Sequence, residues 1–475
     1  MNKRGFTLVE LIGTIVILLV LSLLVFPNLL NLIKNSKKDI SASTKDFIYG
    51  QAKSYIYDNV NSYTLKEGNI YCIGLKDLVS KNYLNTPLKD AESGNDIDLS
   101  KQIEVKVNNN DYSYELVETC IPKSYYTDNS GANTPKLFNN MVPIKYENNK
   151  WLVADLYSKW YDYNSKQWAN AVVLNSGVTK NAGDEVTEED VALWYVWLPR
   201  YKYKKFSKTP KEQEISVTFE KGTSTTGTGE NVTHPAFTFG NTELTGFWVG
   251  KFEISTTDSA CNSSATSANC DKVLTMTIKP NVSSWRYATI SNHFTSIQNA
   301  TGTYGINNAD SHMLKNIEWG AVAYLKQSKY GLGTTDIAVN TNSNFYTGGG
   351  TSDAYKTNVA QSTTGNIYGV YDMSGGAVES VMGNYNDIIS MAGFSSMPAA
   401  KYYDKYTSST GKTGDATTET SGWYGDSTGF LDSSFTWYGR GGDNASDTYA
   451  GLFAFDNCGG ADCYNPSARA VLSAQ

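Results

Sequence analysis

Histidine is almost missing from this chain: three residues in 475, His234, His293 and His312, stand far apart in sequence. None belongs to a metal-binding or triad motif, and no nucleophile-elbow signature accompanies them. A Ser-His-Asp site needs no closeness in sequence, but nothing else supports one. His234 precedes Pro235, which suits capping a turn better than ligating a metal. Arginine is scarce too, found only at Arg4, Arg200, Arg286, Arg440 and Arg469. Lysine supplies generic surface charge, so the rare arginines mark places where a planar five-donor fork is wanted, the alternative being codon bias. Past the N-terminus there is no basic cluster, and the net charge is −7. That excludes the electrostatic footprint of a nucleic-acid binder. No cysteine pair has repeated zinc-site spacing, and no internal repeat of fixed period is present.

What is present begins at the start of the chain. Lys3 and Arg4 lead into Gly5, and an apolar run then extends from Phe6 to Ile33 with Glu10 as its only charge. About 20 such residues cross a bilayer as a helix, and the leading cations favour a cytoplasmic N-terminus. A secretory signal would carry a shorter apolar core and a small-residue cut site beyond it; here the small residue, Gly5, lies before the run. A carboxyl inside such a run is costly and points to a function, a free α-amine on a neighbouring chain being one natural partner. The alternative is a plain anchor with Glu10 near the interface.

Lys3-Arg4-Gly5-Phe6-Thr7-Leu8-Val9-Glu10 resembles the class III signal of type IV pilins and pseudopilins. The resemblance implies cleavage after Gly5 by a prepilin peptidase, N-methylation of Phe6, and registration of subunits in a filament by Glu10. Pro27 stands where pilin helices commonly kink, as a residue without the helical N–H would make them do. The implied domains are a leader (1–5), an N-terminal helix (6–63, with 6–33 in the membrane) and a small pilin-like head (64–122).

Ile48, Ala52, Tyr55, Ile56 and Val60 make one stripe at helical spacing, so the helix is expected to continue from the membrane to about Tyr63. A short helix is predicted over Leu75–Leu84. Gln102–Val107 alternates, Asn108–Asp111 turns, and Tyr112–Val117 returns as a hairpin. Residues 123–134 are polar and turn-rich and read as a linker. Beyond them the composition, with 10 Trp, 33 Tyr and 40 Gly in the whole chain, favours strands and ordered loops. One clear helix is expected near Lys315–Leu325, with Ile317, Ala321 and Tyr324 on one face.

Trp248-Val249-Gly250-Lys251-Phe252-Glu253, then Asp372-Met373-Ser374-Gly375-Gly376-Ala377-Val378-Glu379, Arg440-Gly441-Gly442 and Ala468-Arg469-Ala470 occur in that order. The order resembles the C-type-lectin-like fold of the formylglycine-generating enzyme (sulfatase-modifying factor) superfamily, over residues 135–475. The expected fold class is therefore α+β: a long N-terminal transmembrane pilin helix, a small head, and a large loop-rich C-type-lectin-like domain.

Six cysteines in an exported chain imply disulfides, and neighbour pairing gives Cys72–Cys120, Cys261–Cys270 and Cys458–Cys463. The superfamily's strict enzymes use a reactive, copper-binding cysteine pair, but Cys458 and Cys463 come after the matching strand rather than before it. They sit in a Gly-rich loop with no His or Lys to lower a thiol pKa, so a loop-closing disulfide is the simpler reading. In that family a glutamate equivalent to Glu379 binds calcium, which suits a hard cation. Glu379 is thus the candidate calcium ligand, although Gly376 and Val378 replace the family's Asn and Trp; its alternative is a hydrogen bond within its own loop. Arg440 and Arg469 are read as structural, holding loops by bidentate bonds.

The remaining feature is a surface. Asp443, Asn444, Ser446, Asp447 and Tyr449, with Asp456, Asn457, Asp462, Tyr464 and Asn465, have the adaptable polar and rigid aromatic character of binding loops. In C-type-lectin-like proteins this region often forms the ligand face. The expected protein is a non-enzymatic minor or tip pilin-like subunit, first in the bacterial cytoplasmic membrane and then in a pilus at the cell surface. Its expected partners are other pilin subunits and an extracellular ligand. The alternatives are a membrane-anchored oxidase and a pseudopilin of a secretion or DNA-uptake machine.

Overall fold

In the computed structural model the described residues are 40–60, 63, 65, 68–108, 111–461 and 466–474. The chain divides into two compact units, Met1–Tyr125 and Tyr126–Gln475. The expected leader and membrane span, with Gly5, Phe6, Glu10 and Pro27, lie outside the described residues. Among the described residues no helix is long and apolar enough to cross a membrane.

In the first unit a helix runs over Ala42–Asp58 and buries Ile48, Ala52, Tyr55 and Ile56. The expected continuous stem is corrected here. Ser41 has φ −59° and ψ 153°, so the backbone is extended just before the helix. The Ser41 N–H and hydroxyl both donate to Asp90, at 2.7 and 2.6 Å. This non-helical entry is what a serine at a helix N-terminus favours. Val60, placed on the apolar stripe from spacing, lies beyond the helix and is 62% exposed.

A three-stranded antiparallel sheet, ordered Ile70–Gly74, Gln102–Asn108, Asp111–Val117, packs with this helix. In its middle strand Ile103, Val105 and Val107 are buried while Gln102, Glu104 and Lys106 are half-exposed, the period-2 pattern of a one-sided sheet. The second helix covers only Leu75–Ser80, shorter than predicted. A disulfide joins Cys72 on the edge strand to Cys120 just past the hairpin.

The stretch read as a linker spans the boundary between the two units, and several of its residues bond to one unit or the other. Lys123 exchanges backbone hydrogen bonds with Ile70 in the first unit. In the second, Asp128 accepts from the Tyr163 N–H at 2.7 Å, and Asn133 donates to the Glu220 and Thr245 carbonyls at 2.8 and 2.9 Å. Asx side chains that serve backbone groups look like turn composition in a sequence.

The second unit is built on an eight-stranded sheet. Its order is Ala309–Met313, Ala470–Ala474, Gly246–Gly250, Val191–Pro199, Asn170–Leu174, Met141–Glu147, Lys150–Val153, Glu185–Val186. Every residue of Val191–Pro199 is buried, as its unbroken apolar run requires of a strand covered on both faces. The C-terminal strand Ala470–Ala474 is inserted between two earlier strands, antiparallel to both. A four-stranded sheet is ordered Asp404–Tyr406, Glu379–Tyr385, Trp437–Gly441, Gly451–Cys458. The helix Asn316–Lys326 is buried along its whole length, not on one face alone. Cys261 and Cys270 form a second disulfide.

Replacing Cys72 and Cys120 by serine opens a loop spanning 48 residues, and the expected loss is about 2–4 kcal/mol. Hydrogen exchange over residues 68–122 in the full-length protein should accelerate selectively; unchanged protection would show that the head does not depend on the bridge.

Candidate functional site

The deepest polar feature of the second unit joins residues far apart in sequence. Arg469, just before the C-terminal strand, donates from Nε to Glu379 Oε2 at 2.9 Å and from Nη2 to Glu379 Oε1. The same guanidinium reaches the Gly250 and Tyr371 carbonyls at 2.8 and 3.0 Å. Nearby, Asp372 accepts from the Gly348 N–H at 2.8 Å and Asn340 at 3.0 Å. Glu253 accepts from the Ala377 N–H at 2.9 Å and from the Ser284 hydroxyl.

All four charged groups are buried, and one arginine faces three carboxyls. Burial, opposed by Arg469, pushes Asp372 up to about 6 and Glu379 up to about 7. Burial and the neighbouring acids raise Glu253 well above the carboxylate range.

Lys251 is pinned beside them. Its Nζ donates to Asn170 Oδ1, Ile367 O and Gly369 O at 2.9, 2.6 and 2.9 Å, within reach of the Trp151, Trp194 and Tyr371 rings. Burial pushes this amine well below its usual range. Three acceptors and three ring faces pull the other way, matching the three donors of an ammonium.

This geometry bears on the calcium expectation. Both Glu379 oxygens are occupied by Arg469, so a cation there would have to displace the guanidinium. Gly376 has φ +78°, and a Cβ on it would lie 2.6 Å from Glu253 Oε1. An asparagine at this position would therefore have to displace the Glu253 carboxyl. Among the described residues no three His, Cys, Asp or Glu side chains form a metal-ligating group. Glu379 also bonds Arg469 rather than its own loop. Arg440 departs from its expected bidentate role: it makes one bond, Nη2 to Ala416 O at 3.0 Å, and lies over the Trp319 and Phe455 rings.

The histidines are all buried. His234 accepts from the Ala236 N–H at 3.3 Å, faces Gly414 O at 2.9 Å, and is pushed down to about 3 by burial. Burial likewise lowers His293 to about 3. His312 lies between Asp310 and Glu318, 3.0 Å from each, with its ring stacked on Phe239. Burial works against its charged form, but the two carboxylates outweigh it and raise the imidazole above its ordinary value. Among the described residues no hydroxyl or thiol hydrogen-bonds a histidine ring nitrogen.

The C-terminal loops lie at the surface. Asp443 accepts from the Ser446 hydroxyl within its own turn, at 2.6 Å, while Asn444 donates its backbone N–H to Gly376 O at 2.9 Å. Asp447, Tyr449 and Asp456 are exposed, and Asn457 donates to Phe430 O at 2.6 Å. Cys458 is disulfide-bonded; its expected partner Cys463, with Asp462, Tyr464 and Asn465, lies outside the described residues. Lys251, Glu253, Asp372 and the His312 network were not picked out as site residues from sequence. The signal was a lysine and a glutamate directly following an apolar strand.

Residues 1–26 match the family described as "Prokaryotic N-terminal methylation motif". The motif supports a type IV pilin-like or pseudopilin-like surface subunit, membrane-anchored, processed by prepilin peptidase and assembled with other pilins. No curated protein matches the chain. A solved structure titled "Major Tropism Determinant U1 Variant" aligns at 13% identity over 79% of this chain and 82% of its own, with a TM-score of 0.26.

All ten tryptophans follow residue 125, so their fluorescence reports on the second unit. Arg469→Met leaves Glu379 and two carbonyls unpaired in the interior, and should cost about 3–5 kcal/mol in urea unfolding. For pH, Asp372, Glu379 and His312 hold more protons folded than unfolded, so their contribution to stability falls as pH rises, from about 4 through 7 for the acids and through the raised folded value for His312. His234 and His293, kept neutral by burial, work the other way between about 3 and 6.5 and no longer contribute a slope above it. Above pH 7 the His312 contribution is therefore lost as pH rises, and His312→Gln should flatten the fall in melting temperature there; a slope unchanged by that substitution would contradict it.

Proposed function

We propose that the chain is a minor or tip subunit of a type IV pilus-like filament whose second unit is a non-enzymatic binding module of C-type-lectin-like architecture. The observation that carries the reading is the pairing of a prepilin-type N-terminus (residues 1–26) with a unit of 350 residues, Tyr126–Gln475. A body this large suits a subunit that displays a surface better than one repeated along a shaft. The buried Arg469, Glu379, Lys251, Asp372 and Glu253 are held by carbonyls, N–H groups, side-chain donors and acceptors or an opposite charge, which supports a structural part for them in this reading. The disulfide state of Cys458 also favours the binding module over a copper-loaded oxidase, which needs a reactive thiol pair.

In this reading a peptidase cuts after Gly5, Phe6 is methylated, the helix that follows enters the filament, and the second unit meets its ligand outside the cell. Intact and peptide mass analysis of the protein from its native membrane, without reductant, tests it. The expected species starts at N-methylated Phe6 with all six cysteines oxidised. An uncut Met1 start would sink the filament role, and free thiols at Cys458 and Cys463 would reopen the oxidase.

A further inference from the structure

After Lys412 the sequence has no lysine and only two arginines, against eight acids. Both arginines, Arg440 and Arg469, are fully buried. The surface contributed by residues 413–475 therefore carries no exposed cation among the described residues, while Asp432, Asp447 and Asp456 are exposed. Asp432, in the turn that carries Phe435, and Asp456, on the strand that leads to Gly459 beside Met391, flank exposed apolar side chains: Phe435, Met391 and Ile388 are 50%, 49% and 37% exposed.

These side chains come from two loops held together below the surface. The buried Asn384 amide donates to both the Ile388 and Thr436 carbonyls, at 2.9 and 3.1 Å. Trp437 Nε1 donates to Ile389 O at 3.0 Å, and the Met391 N–H to Gly459 O at 2.9 Å. Phe435 projects from a turn in which Asp432 Oδ1 accepts the Ser434 and Phe435 N–H groups at 2.7 and 2.9 Å. Those N–H groups hold the Asp432 carboxyl below its ordinary range, and among the described residues no ion pair compensates it or Asp456. The neighbouring Lys405 is already matched, to Asp387.

We infer that this face, centred on Phe435, Met391 and Ile388 and bordered by Asp432 and Asp456, docks a basic polypeptide segment carrying aromatic or aliphatic side chains. The inference rests on the binding-module reading and gives its partner a chemical class. Aromatic residues and methionine are enriched in protein interfaces, and an acidic border selects and steers a cationic partner. A neutral glycan would gain nothing from that border, and an anionic one would be repelled.

The test uses the full-length protein in detergent with two labelled peptides, (Arg-Trp)4 and (Glu-Trp)4. The arginine peptide should bind and weaken with added salt, and the glutamate peptide should not bind. Phe435→Ser, and separately Asp432→Asn with Asp456→Asn, should each weaken binding by about five-fold or more. The asparagines keep the turn's acceptor oxygens and remove only charge, so folding is preserved, and tryptophan fluorescence verifies it. Equal binding of both peptides, or indifference to both variants, would overturn the proposal.

Adherence of piliated cells separates the two levels. If Phe435→Ser abolishes adherence while the arginine peptide never binds, the partner class is wrong and the binding module stands. If deleting residues 126–475 leaves adherence intact, the binding module itself falls.

Discussion

The second unit depends on one buried ion pair. Arg469 and Glu379 lie 90 residues apart, and the guanidinium also holds the Gly250 and Tyr371 carbonyls. Three stretches of chain and the entry to the last strand thus meet on one side chain. Its planar fork is what lets a single cation serve a carboxylate and two carbonyls at once; a lysine could not hold all of them in fixed directions. The two excess carboxyls nearby are tolerated because backbone N–H groups and side-chain donors satisfy them and because burial and the neighbouring acids favour the protonated form of Glu253. A centre of this kind adds specificity more than stability: with Arg469 anchored, the strand after it has one register between Gly246–Gly250 and Ala309–Met313.

That dependence explains the arginine scarcity. Arg200, Arg440 and Arg469 are fully buried, and Arg200 meets Glu220 at 3.0 Å and Glu243 at 2.6 Å. Arg286 lies 3.7 Å from the Phe345 ring centroid. In a chain whose surface cations are lysines, arginine is spent where the interior needs a flat, multi-donor group. Rarity was legible in the sequence, and so was its physical meaning; the individual partners were not, since Glu220, Glu243 and Glu379 look like any other glutamates until the fold brings them in.

The same limit runs through the rest of the molecule. The hairpin around Asn108–Asp111 and the buried stripe of Ile48, Ala52 and Tyr55 could be read directly, because each is a local pattern with a local cause. The break at Ser41 could not, because it depends on Asp90, 49 residues away. Within the stretch 123–134, Asp128 and Asn133 look like turn formers, and their distant backbone partners give no local signal. In the candidate site, the motif drew attention to Glu379, but its bond to Arg469, 90 residues away, has no local signal. The contact of Glu253 with Gly376 is likewise visible only once the chain is folded.

The distribution of charge leads from interior to surface. Every cation in residues 413–475 is used to hold the core, so the loops outside are left with acids alone. This follows from burial: the structural demand for Arg440 and Arg469 removes them from the electrostatic field that a partner meets at close range. A face becomes acidic here without any cluster of acids being placed on it, simply because its cations point inward. The apolar side chains between those acids then sit in a field of one sign, and what can cover them is restricted by charge before shape is considered.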